Sequence, residues 1–297
     1  MDFVDVQRRV IDLYGKEAYD QGLETIAVAR PEHPDEDGIL TFYEACLLGK
    51  SGRIREALET LEAGLDRGLW WAPGQLADSD LDSVRTLPGW ETVLARGEQA
   101  VSEMSSLRPD PLVRPGATAN PEGTFITLHG AGVDPMAHAK RWEEAAPSTW
   151  TVITPVGSVP MTSGHWAWPY DLSLEPLIEH LEGLPLWRPL ILAGWSQGGG
   201  MAASMAWAGP LEVDGLLLFG PGLRDRQWDP GSHRHVPTYI VIGQHDLALR
   251  SCLELRERMA DHGAAVLLDE LPGKGHELPE NLQGTIALAL DWLLGSL

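Results

Sequence analysis

Ser196, Asp246 and His276 stand in that order in the chain, each just past a short apolar run: Leu190 to Ala193, Tyr239 to Ile242 and Val266 to Leu268. A serine hydroxyl is a poor nucleophile at neutral pH. It needs a histidine to take its proton and a carboxylate to hold that histidine in the right tautomer. These residue types in three separate loops point to acyl transfer through a covalent intermediate.

The surroundings of the serine suit that chemistry. Gly194-Trp195-Ser196-Gln197-Gly198-Gly199-Gly200 lies between the apolar run 190–193 and a small-residue stretch from Met201 to Trp207, which reads as strand, sharp turn and helix. A nucleophile on such a turn requires glycine at 194 and 198, where a side chain would strike the neighbouring strand or helix. The turn aims Ser196 Oγ at the start of the following helix, where backbone N–H groups stabilise an oxyanion. His129-Gly130-Ala131-Gly132 follows another apolar run, and its glycine pair lets one N–H turn toward the serine. The expected oxyanion donors are the N–H groups of Ala131 and Gln197; His129 itself reads as structural.

Other polar residues compete less well. His233 and His235 precede the strand that leads to Asp246, which puts them at the wrong edge, and His245 adjoins the acid as a turn residue. Asp225, beyond the strand ending at Phe219, is the alternative acid. A metal site drawn from His233, His235, His245 and Asp246 matches no common zinc spacing, so neither metal nor cofactor is expected. Trp195 adjoins the nucleophile, while Trp166, Trp168 and Tyr170 lie on a long loop. The functional reading of these rings is the wall of a short apolar pocket for a small acyl or aromatic group. The alternative is a packed loop whose rings bury themselves.

The net charge of −21, from 43 acidic and 22 basic residues, opposes binding to nucleic acid or to an anionic membrane surface. Cys46 and Cys252 lie far apart in helical stretches, which fits a reducing compartment rather than a disulfide framework. The chain shows neither a secretory leader nor an apolar run of membrane-spanning length, and a cytoplasmic location is expected.

Residues 1–106 carry helical spacing throughout, as in Phe3, Val6, Val10 and Leu13 and again in Leu58, Leu61 and Leu65. Tyr43 to Gly49, Gly52-Arg53 and Glu56-Ala57-Leu58 resemble part of a tetratricopeptide repeat. Too few repeats are present to bury their own apolar face, so the region is expected to dock on its neighbour or to bind a protein partner. Pro109, Pro111, Pro115 and Pro121 mark 107–122 as a linker or edge segment. From 123 to 297, near-continuous apolar strands alternate with helices, the mark of a parallel sheet covered on both faces.

This second part resembles the α/β-hydrolases, and within them the carboxylesterase and phospholipase-like branch, whose elbow reads Gly-Phe-Ser-Gln-Gly-Gly. Trp195 replaces the phenylalanine. The resemblance is carried by Leu128-His129-Gly130, the elbow, Gly243 to Asp246 and Gly275-His276-Glu277, and more loosely by Trp166 to Asp171. It implies a doubly wound, mostly parallel sheet preceded here by a small all-α region, with nucleophile, acid and histidine in that order. Departures at Ala131 to Pro135 and Leu247 to Leu249 bear on the substrate rather than the reaction type. The expectation is a serine hydrolase of a carboxylic ester or thioester: Ser196 attacks, His276 shuttles the proton and Asp246 orients His276. A peptidase of the same fold would share the triad. A non-catalytic scaffold on this fold is the competing class, opposed by the filling of all three positions.

Overall fold

The computed structural model describes residues 3–107, 109–223 and 228–295. The chain forms two compact units, one of Met1–Arg108 with Pro160–His165 and the other of Pro109–Val159 with Trp166–Leu297.

The first unit contains α1 (Phe3–Gly15), α2 (Tyr19–Ala29), α3 (Asp37–Lys50), α4 (Ile54–Asp66), the short α5 (Pro73–Leu76) and α6 (Trp90–Ser106). The helical spacing of the sequence is realised on α1, where Val6, Val10 and Leu13 are buried. Two apolar clusters hold the unit, one around Val6, Val10, Ile26, Leu40 and Leu47, the other around Leu58, Leu61, Trp71, Trp90 and Val93. Both consist wholly of this unit's own residues, so part of its apolar surface is buried without stacked repeats. Trp71 supplies what repeat number does not: its indole N–H donates to Gly38 O at 2.9 Å, and Gly64 leaves room for its ring. Residues 160–165 belong to the same packing. Ala72 N–H donates to Met161 O at 2.6 Å, Thr162 Oγ1 donates to Trp70 O at 2.6 Å, and the ring of His165 bonds Ser163 O and Glu36 Oε2, each at 2.7 Å.

The second unit begins with β1 (Leu112–Arg114), β2 (Thr124–Leu128), α7 (Pro135–Ala145) and β3 (Thr151–Thr154). Next in the chain is a small two-stranded sheet of β4 (Val159–Thr162) and β5 (His165–Ala167), whose residues 160–165 belong to the first unit; the second unit continues with α8 (Glu175–Leu181), β6 (Leu190–Trp195), α9 (Gln197–Ala208) and β7 (Gly215–Phe219). The chain ends with β8 (Thr238–Gly243), α10 (Leu249–Asp261), β9 (Val266–Leu271) and α11 (Leu282–Gly295). The large sheet has seven strands in the order β1-β3-β2-β6-β7-β8-β9, parallel except for β1, which pairs antiparallel with β3 inside the proline-rich stretch.

Alternate residues of each inner strand face opposite sides, as strand geometry requires. Leu190 and Leu192, Leu216 and Leu218, and Ile240 and Ile242 join one cluster with residues of α8, α9 and α10. Ile191 and Ala193, Leu217 and Phe219, and Tyr239 and Val241 join the other with α7 and α11. Burial on both faces is why these strands read as continuous apolar runs. The parallel strands bring the loops after β2, β6, β7, β8 and β9 to one edge of the sheet, where such sheets hold their sites.

Candidate active site

Ser196 links β6 to α9 with φ 55° and ψ −122°, a left-handed backbone that few residues other than glycine adopt. A conformation of this kind costs about 1–3 kcal/mol and persists only where its surroundings impose it. Here the Ser196 N–H donates to Phe219 O at 3.0 Å, and its carbonyl accepts from Gly222 N–H at 2.8 Å and Gly200 N–H at 3.2 Å. A Cβ on Gly194 would collide with the backbone of Gly198, and one on Gly198 with the carbonyls of Leu128 and His129. The two glycines expected from the motif are those on which the turn closes.

Three loops meet at this serine. His276 Nε2 lies 2.8 Å from Ser196 Oγ, and His276 Nδ1 lies 2.8 Å from Asp246 Oδ2. The other oxygen of Asp246 accepts from Ala248 N–H at 2.8 Å. An ionised Asp246 accepts only, so Nδ1 carries the imidazole proton and Nε2 is left to accept from the serine hydroxyl. The carboxylate is 3% exposed and the imidazole 44%. The ring of Trp195 stacks on that of His276, with centroids 5.8 Å apart and planes inclined by 28°.

Ala131 lies in the turn after β2. A Cβ on Gly130 would sit 3.3 Å from Ser196 Cβ, so the chain entering Ala131 runs beside the serine. His129 is fully buried and accepts from Gly157 N–H at Nε2 (2.9 Å), which leaves the proton on Nδ1 to be donated to Gly130 O at 2.8 Å. Gln197 opens α9, so its N–H has no carbonyl one helical turn earlier to bond.

The aromatic residues expected on one loop are dispersed, with Trp166 in β5 and Trp168 and Tyr170 after it. Trp168 is 1% exposed and presents no surface to a ligand; Trp166 is also buried, whereas Tyr170 is 89% exposed. His233 Nδ1 accepts from Asp229 N–H, His235 packs on Trp228, and His245 is exposed, none of them bonded to the serine. Asp225 lies outside the described residues. Among the described residues, the side chains that gather as a set of possible metal ligands are Cys46, Asp78 and Asp80 of the helical unit, not the histidines weighed from the sequence.

Two glycines at the site were not singled out from the sequence. Gly220, at φ 44°, would place a Cβ 2.8 Å from Asp246 Oδ2 and 3.1 Å from His276 Nδ1, and Gly157 would place one 3.1 Å from His129 Cε1. The signal for the first was the Gly220-Pro221-Gly222 turn directly after an apolar strand.

No family model matches the sequence, and no curated protein matches it either. Solved structures do match the fold. An uncharacterized protein from Bacillus cereus ATCC 10987 aligns over 99% of this chain and 100% of its own at 18% identity, with a TM-score of 0.53. Esterase PE8 aligns over 63% of this chain and 100% of its own at 17% identity, with a TM-score of 0.50. The fold is that of the α/β-hydrolases. Within it, the α/β-hydrolase unit carries Ser196 at the strand-to-helix turn and receives Asp246 and His276 from the two strands at the far edge. Among the described residues no helix is long and apolar enough to cross a membrane.

Proposed function

We propose that the chain is a serine hydrolase that cleaves a carboxylic ester or thioester through an acyl-enzyme. The reading rests on the relay Ser196 Oγ to His276 Nε2, and His276 Nδ1 to Asp246 Oδ2, both at 2.8 Å between loops 80 and 30 residues apart in sequence.

In the first half-reaction Ser196 Oγ attacks the acyl carbon while its proton passes to His276 Nε2, and Asp246 stabilises the imidazolium. The carbonyl oxygen becomes an oxyanion facing the N–H groups of Ala131 and Gln197, each worth about 3 kcal/mol in the transition state. Collapse breaks the bond to the alkoxide or thiolate, which leaves with the proton from Nε2. Water then attacks the acyl-enzyme, His276 takes its proton, and the carboxylic acid leaves as Ser196 regains its hydrogen. No cofactor enters this sequence.

The test is turnover of p-nitrophenyl acetate and of an acetyl thioester by the wild type and by Ser196→Ala. The reading requires hydrolysis of at least one by the wild type and a loss of about 10⁶ in kcat in the variant, the usual cost of removing such a nucleophile. Equal turnover by both proteins would overturn it.

A further inference from the structure

The side chain of Gln197 has no part in the relay, yet it is fully engaged. Its Oε1 accepts from Trp168 N–H and its Nε2 donates to Trp168 O, both at 2.9 Å. A primary carboxamide is the side-chain group that offers a donor and an acceptor to both backbone groups of one residue, as a neighbouring strand would. Trp168 passes the constraint on. Its indole Nε1–H donates to His129 O at 2.8 Å, and its ring packs on the His129 imidazole with centroids 5.1 Å apart. Two residues earlier, the backbone of Trp166 holds the same loop: Gly132 N–H donates to Trp166 O at 2.9 Å, and Trp166 N–H donates to Val133 O at 3.2 Å.

The path links the peptides of the two donors. It runs from Gln197 through its side chain to Trp168, then to His129 on one side of Ala131 and Gly132 on the other. The assigned oxyanion donors, Gln197 N–H and Ala131 N–H, are its two ends. We infer that the Gln197 carboxamide and the Trp168 indole are positioning groups that fix the separation of the two donors. Gln197 thus gives one N–H directly and sets the place of the other. The inference rests on the serine hydrolase reading, and it assigns Trp168 to the geometry of the oxyanion site rather than to a pocket wall.

An oxyanion forms only in the transition state, so slack in this path raises the barrier without weakening ground-state binding. The experiment compares the wild type, Gln197→Met, Trp168→Phe and the double variant. Gln197→Met keeps the backbone N–H and the length of the side chain while losing both bonds. Trp168→Phe keeps an aromatic ring and loses the indole N–H. Each is assayed for kcat and KM on p-nitrophenyl acetate, with active sites counted by fluorophosphonate titration, and for the Ki of an aryl trifluoromethyl ketone. That ketone takes up Ser196 Oγ as a hemiketal while the serine proton moves to His276.

The expected result is a fall in kcat of about 10- to 100-fold for Gln197→Met, the scale set by misplacing a reacting or stabilising group by about 1 Å. KM should stay within about two-fold and the ketone Ki should rise in parallel with the loss of kcat. Because both residues act along one path, the double variant should lose little more than the worse single variant. If kcat per titrated site is unchanged in both single variants while their melting temperatures fall, the contacts are structural and the inference is wrong. Should Gln197→Met not fold, Trp168→Phe alone decides by the same criteria. A wild type that neither labels nor turns over would remove the serine hydrolase reading and this inference with it, a result distinct from active but unchanged variants.

Discussion

At Gly220 the proposed chemistry requires the absence of a side chain. Its backbone is left-handed, and a methyl group there would press on Asp246 Oδ2 and His276 Nδ1 from 2.8 and 3.1 Å, between the two partners of the relay. Gly220→Ala should therefore cost about 1–2 kcal/mol in backbone strain. It should also lower kcat by at least ten-fold as the pair is pushed apart, a loss bounded by the roughly 10⁴ of a wrong tautomer. Steady-state kinetics beside a thermal melt separate the two effects. A destabilised variant with full kcat per active site would mean that the pair yields without consequence. Asp246→Asn tests the same contact chemically, and it should retain the fold while kcat drops by about 10⁴. A harmless Asp246→Asn would return the role to another acid.

At the scale of the elements, β6 and α9 hold the serine, and α7 follows the 129–134 segment in the chain. His138 of α7 is buried with its ring 6.2 Å from that of His129. Burial, reinforced by His129 and Arg141, holds the His138 pKa well below the ordinary histidine value. The folded protein therefore keeps His138 neutral at pH values where the unfolded chain protonates it. Below about pH 6.5 the unfolded state binds the extra proton and stability falls as pH falls, by up to about 1.4 kcal/mol per pH unit until the folded pKa is reached. His138→Leu should flatten the dependence of the melting temperature on pH between about 6.5 and 5 relative to the wild type. Parallel wild-type and variant profiles would show that His138 is not the group responsible.

The same elements explain what was legible beforehand. The strands 124–128, 190–195, 215–219 and 238–243 announce themselves because both their faces are buried, and the elbow because its glycines have a steric purpose. The edge strand 112–114 hides among prolines, and 159–167 carries the polar Thr162, Ser163 and His165 instead of an apolar run. The sequence points to the ring of Trp168, whereas its indole N–H also bonds a carbonyl 39 residues away. Pairings of that kind leave no trace in local spacing.

At the scale of the whole molecule, the chain divides into a helical unit and an α/β-hydrolase unit. The helical unit has a core of its own, and Leu61 lies fully buried within it. Leu61→Ala should destabilise that unit by about 2–5 kcal/mol, the range for a leucine truncated in a packed core. Urea unfolding followed by tryptophan fluorescence, to which Trp71 and Trp90 of this unit contribute, would measure it, and a loss below about 1 kcal/mol would show the cluster to be loosely packed.

The central claim is that Ser196 is activated by His276, and intact-mass analysis after exposure to a fluorophosphonate tests it most directly because no knowledge of the natural substrate is needed. The account predicts one phosphonyl adduct on the wild type, located to the peptide containing Ser196, none on Ser196→Ala, and labelling slowed by at least about 10³-fold in His276→Ala. A wild type that stays unmodified, or an adduct that persists on Ser196→Ala, would contradict it.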